Sequence, residues 1–95
     1  MKLEELKKKH EAIAEKTSTL LAEIEAKQNE ILSITERLDE INILKGEDIK
    51  AQKARAKEKR ARLRDEITDL RHNVRLLDGQ KEWLMIKAKA LAGEL

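Results

Sequence analysis

The sequence predicts an all-α fold: a long antiparallel helical hairpin of the coiled-coil type, expected to self-associate into a four-helix bundle. Three observations predict it. Proline is absent and only three glycines interrupt the 95 residues, so long unbroken helices are permitted. Ala, Glu, Lys, Leu and Arg dominate, and apolar residues recur at alternating spacings of three and four, which lines them along one seam of a helix. That repeat then slips by one residue across Leu44-Lys45-Gly46-Glu47-Asp48. The regular seam also argues against disorder, to which a charged fraction of 42% would otherwise point.

The whole chain, 1–95, is expected to form one domain. Its first helix should cover about 2–45. With Leu3 as the first seam position, the others are Leu6, His10, Ile13, Thr17, Leu20, Ile24, Lys27, Ile31, Ile34, Leu38, Ile41 and Lys45. Only four of these are not apolar. Thr17 and Lys27 are expected to limit off-register pairing, with the lysine stem on apolar surface and its ammonium in water. A lone seam histidine such as His10 more often tunes packing than switches with pH. Glu4–Lys8, Glu5–Lys9 and Glu23–Lys27 stand four apart with the acid first, the favourable order.

The turn is expected at 46–48. Lys45 suits the carbonyl end of a helix, Gly46 can take a left-handed conformation, and Asp48, beside Glu47, can cap the next amide end. Folding about residue 47 sets Leu3 against Leu91, Leu6 against Ala88, Ile24 against Leu70, Ile31 against Leu63 and Leu38 against Ala56, with large residues often facing small ones. Two features count the other way. A slip of one residue can be absorbed in a continuous rod that pairs with another chain. The charges flanking the seam also match poorly, with Arg37 near Lys59, Glu30 near Glu66 and Lys9 near Lys87.

The second helix should cover about 49–93. Its seam is Ile49, Lys53, Ala56, Arg60, Leu63, Ile67, Leu70, Val74, Leu77, Lys81, Leu84, Ala88, Leu91 and Leu95. The phase holds through Asp78-Gly79, which favours one continuous helix over a turn there. Its first third is basic: Lys50, Lys53, Arg55, Lys57, Lys59, Arg60, Arg62 and Arg64 against Glu58 alone. Residues 1–49 hold eight basic and twelve acidic groups, whereas 50–95 hold thirteen and seven. The eight basic residues are candidate nucleic-acid contacts, though a solvated face balanced by Glu36, Asp39, Glu40 and Glu47 is the plainer explanation. No aromatic lies among them, so any such binding would follow the phosphate backbone and not the bases.

From Leu63 on, the seam runs through Leu77 unbroken by polar residues and continues in Leu84, Ala88, Leu91 and Leu95, and a second stripe appears on the other side of the helix: Leu76, Gly79, Trp83, Ile86, Ala90 and Gly93. One hairpin seam buries one stripe, so the other is left for a partner. Leu76, Gly79, Trp83, Ile86 and Ala90 are therefore the candidate partner-binding residues, with Trp83 as anchor. The partner is expected to be another protein, a second copy, or both.

Catalytic constellations are not expected. With no cysteine there is no disulfide, thiolate ligand or thiol nucleophile. Asp69 and His72 have a ligand spacing, but a di-metal bundle needs several inward acids and two such motifs. Glu11–Glu15 and Glu36–Glu40 read as charged helix surface. No phosphate-binding glycine loop and no nucleophile with a base are present. Two packed rods should also lack a sizeable pocket. No cofactor, metal or small molecule is expected. Met1-Lys2-Leu3-Glu4-Glu5 is not a signal peptide, and Leu84-Met85-Ile86, the longest aliphatic run, is too short to span a bilayer. The expectation is a cytoplasmic, non-enzymatic interaction module acting as adaptor, assembly factor or inhibitor. Backbone-driven nucleic-acid binding through 50–64 is the alternative.

Overall fold

A computed structural model describes residues 2–43 and 46–93, with Glu47 described by its backbone alone. Two helices, α1 (Leu3–Ile41) and α2 (Glu47–Gly93), account for nearly all of it. They pack as a helical hairpin, and the unbroken rod is not adopted.

The helix ends follow from local chemistry. The Lys2 carbonyl accepts hydrogen bonds from the amides of Glu5 and Leu6, at 3.1 and 3.2 Å, which starts α1. Glu4 and Glu5 occupy its first turn, where the free amides favour negative charge. At the other end the Asn42 amide still reaches the Leu38 carbonyl at 2.9 Å, but the Ile43 amide turns to Glu40 at 3.2 Å. The winding has tightened to a three-residue step there, as helix ends often do. α1 thus stops at Ile41, four residues short of the expected boundary. Lys45 lies outside the described residues, and so does its expected role, as does the seam end at Leu95.

Gly46 has φ +152°, the positive-φ backbone expected of it. Because this residue already redirects the chain, α2 starts at Glu47, two residues earlier than expected. Asp48 is therefore not the cap; it sits in the first turn, where its charge still meets the amide end of the helix dipole. α2 then runs without interruption through Asp78 and Gly79.

The chain packs as two compact units, Met1–Ala22 with Leu70–Leu95, and Glu23–Asp69. In the first, Leu6, Ile13 and Leu84 are buried together, and Leu77, Ala88 and Leu91 pack against them. The start of α1 thus meets the end of α2, as an antiparallel pair requires. In the second, Ile24, Leu38, Ile41, Leu63 and Ile67 are buried. Among the described residues every seam position is buried or half-buried except Leu3, which is 46% exposed, and off the seam only Thr35 and Glu66 are equally shielded.

Those two exceptions show how the polar seam residues are accommodated. Lys27 does not simply reach water: its Nζ donates to Glu66 Oε2 at 2.8 Å. This corrects the expected Glu30–Glu66 clash, because Lys27 stands in the fields of Glu23, Glu30 and Glu66 together. Farther along, Arg60 Nη1 donates to Thr35 Oγ1 at 3.3 Å, and that hydroxyl donates to the Ile31 carbonyl at 2.9 Å. The Thr17 hydroxyl is satisfied by the Ile13 carbonyl at 2.9 Å. Among the described residues no buried side-chain polar atom lacks a partner, so these polar layers avoid the cost of an orphaned group.

The Lys27–Glu66 pair makes stability depend on pH. The hydrogen bond from Lys27, and then its charge, hold the Glu66 carboxyl below the usual carboxylate range. The same hydrogen bond, reduced by desolvation and reinforced by Glu66, Glu23 and Glu30, raises Lys27 above the usual lysine range. The carboxylate's contribution is therefore present above the ordinary glutamate pKa and lost as pH falls through the lowered value. The ammonium's contribution is present below the ordinary lysine pKa and lost as pH rises through the raised one. Glu66→Gln should melt lower than the parent chain at neutral pH, and the two melting curves should converge in acid. A gap that persists unchanged at acid pH would show that the pair is not the cause.

Candidate docking surface

The second stripe of α2 is where the fold leaves apolar surface uncovered. At about 100° per residue, its alternating spacing centres it roughly 160° around the helix from the seam. α1 occupies the seam side, so the stripe is left open. Leu76, Trp83 and Ile86 are 54%, 51% and 66% exposed, and Gly79, Ala90 and Gly93 are exposed with them. Space is clear beyond the glycines: a Cβ built on Gly79 or Gly93 would meet nothing within 4 Å.

Trp83 is partly ordered by its own helix. Lys87, one turn on, places its Nζ 4.2 Å from the centroid of the indole ring, a favourable cation–π distance. The ring also rims a groove of about 320 Å³ that includes Ile13 and Leu84. Leu76 borders a second, of about 640 Å³, with Ala12, Lys16, Leu20 and Leu77. On the opposite edge of the same unit Leu3, Leu6, His10, Leu84, Met85 and Ala88 contribute to a groove of about 530 Å³.

These grooves correct the expectation that two packed rods lack a sizeable pocket. They are open to solvent and arise where short side chains such as Ala12 and Ala92 stand beside the seam. Sequence reasoning missed them, along with the exposed Met85 that borders one. The signal was present in the small residues flanking the seam. Leu21 and Leu32 on α1, and Ile43 just past its end, are exposed as well, but they stand singly, as isolated surface aliphatics commonly do.

The basic stretch does not form one face. Lys53 and Arg60 are seam residues, half-buried against α1. Arg62 lies 3.9 Å from Glu58, and Arg55 Nε bonds the Ala51 carbonyl at 3.4 Å. Lys50, Lys57, Lys59 and Arg64 are exposed. Lys50, Lys57 and Arg64 stand seven residues apart along one flank.

Elsewhere, Asp69 and His72 are exposed, and so are Glu11, Glu15, Glu36 and Glu40. Among the described residues there is no group of three or more His, Cys, Asp or Glu side chains able to hold a metal ion, and no helix is long and apolar enough to cross a membrane. No family model, curated protein sequence or solved structure matches the chain.

Proposed function

We propose that this chain is a non-enzymatic coiled-coil interaction module. It docks through the outer face of α2, with Trp83 and Ile86 as anchors and Leu76, Gly79 and Ala90 extending the contact. It would serve as adaptor, assembly factor or inhibitor by covering a partner's surface. One observation carries the reading: a line of apolar residues with helical spacing, left exposed although the helix already has a buried seam of its own. Such a patch costs solubility unless something covers it. The support beneath it is rigid, since α1 fixes the opposite side of the helix. A preordered tryptophan also loses little conformational freedom on binding. The basic stretch supports a rival phosphate-binding reading less well, because its charges are distributed around the helix and partly used within the hairpin.

Trp83→Glu with Ile86→Glu should leave helicity unchanged by circular dichroism while abolishing association. The readouts are solution mass and recovery of bound protein. If both match the parent chain, the face has no docking role.

A further inference from the structure

We propose that the occupant of this face is a second copy of the chain, packed antiparallel, α2 on α2, about a two-fold axis midway between Trp83 and Ile86. The proposal rests on the docking reading above and names the partner that the face fits.

Volume is the first argument. In this register Trp83 sits in one layer with the second copy's Ile86, Gly79 with its Ala90, and Leu76 with its Gly93, and symmetry repeats each pairing. Large side chains oppose small ones in the outermost layers, and the open space at Gly93 receives the exposed Leu76. A two-fold interface needs such self-complementarity, because each patch must fit itself reversed.

Charge is the second argument, and it selects the register. The residues flanking the stripe are Glu82 and Lys89 on one side, Gln80 and Lys87 on the other, all exposed. The chosen register sets Glu82 against the second copy's Lys89, twice by symmetry, and Gln80 against its Lys87. Moving the copies by one step in either direction loses this. One shift sets Glu82 against Glu82 and Arg75 against Lys89; the other sets Lys89 against Lys89 and Lys87 against Lys87. Opposed like charges disfavour a pairing. Among the described residues neither Glu82 nor Lys89 has an ion-pair partner within the hairpin, so both are free to make the contact. A parallel pairing would also offset charges, with Glu82 near Lys87. It would, however, stack Gly79 on Gly79 and Trp83 on Trp83, leaving an empty layer beside an overfilled one. The result is a four-helix assembly with the two α2 helices at its centre and an α1 on each outer side.

The test is sedimentation equilibrium of the full chain, with helicity followed in parallel. The parent chain should be a dimer. Glu82→Lys and Lys89→Glu each turn two opposite-charge contacts into like-charge contacts and should weaken dimerisation by about tenfold. The double variant E82K/K89E restores both contacts and should return to the parent affinity. A monomeric parent chain overturns the proposal while leaving the docking reading to the recovery of bound protein by the parent and not by the W83E/I86E variant. A dimer indifferent to the single changes overturns the register. So does a double variant that stays weak, which is the result a parallel pair would give.

Discussion

Leu84→Ala is expected to destabilise the chain by about 2–4 kcal/mol, the usual cost of removing a buried leucine. For a domain of this size that lowers the thermal midpoint by more than about 10 °C. Leu84 is 4% exposed and forms the buried cluster of its unit with Leu6 and Ile13. Two helices cannot enclose a side chain on all sides, and no residue of the chain is fully sealed from solvent among those described. Stability therefore rests on a few layers, and removing one of three strongly buried residues has no nearby compensation. The comparison is Ile86→Ala, two residues away on the open face. Measured where the chain is monomeric, it should change stability by no more than about 0.5 kcal/mol. Denaturant unfolding of both variants checks the pair. Equal losses would mean that the seam and the stripe are not distinguished as described.

The seam was legible in the sequence because helical geometry leaves little freedom once a run of threes and fours is established. Leu6, Ile13, Ile24, Leu38, Leu63, Ile67 and Leu84 were all placed on it by spacing alone, and so were the half-buried polar members His10, Thr17, Lys27, Lys53 and Arg60. The exposed stripe from Leu76 to Gly93 was legible for the same reason. The end of α1 was not. Asn42, Ile43, Leu44 and Lys45 include neither proline nor glycine, so nothing local marks the stop, which depends on where the chain must cross to α2. The charge balance was also illegible to a flank-against-flank count. Glu66 is answered by a lysine inside the seam, and only the length and flexibility of Lys27 allow that. The grooves were missed because they depend on which flanking side chains are short, a property that apolar periodicity does not record.

Gly46→Ala and Gly79→Ala should move stability in opposite directions, although both replace a glycine by the same residue. At Gly46 the obstacle is the backbone. Its φ of +152° is a conformation that side-chain-bearing residues avoid, and holding one there costs about 1–3 kcal/mol. Crowding is not the cause, since a Cβ would meet Ile49 Cδ1 at 3.6 Å, an ordinary contact. At Gly79 the backbone is helical and a Cβ meets nothing. Alanine there should stabilise the helix by about 0.8–1 kcal/mol, through the conformational freedom that glycine gives the unfolded chain. Urea unfolding of the two variants, at a concentration where the chain is monomeric, reads both signs. A neutral Gly46→Ala would mean that the reversal between α1 and α2 does not depend on positive φ at that residue. A destabilising Gly79→Ala would mean that something already covers the outer face of α2 within a single chain, and no room would then remain there for a partner.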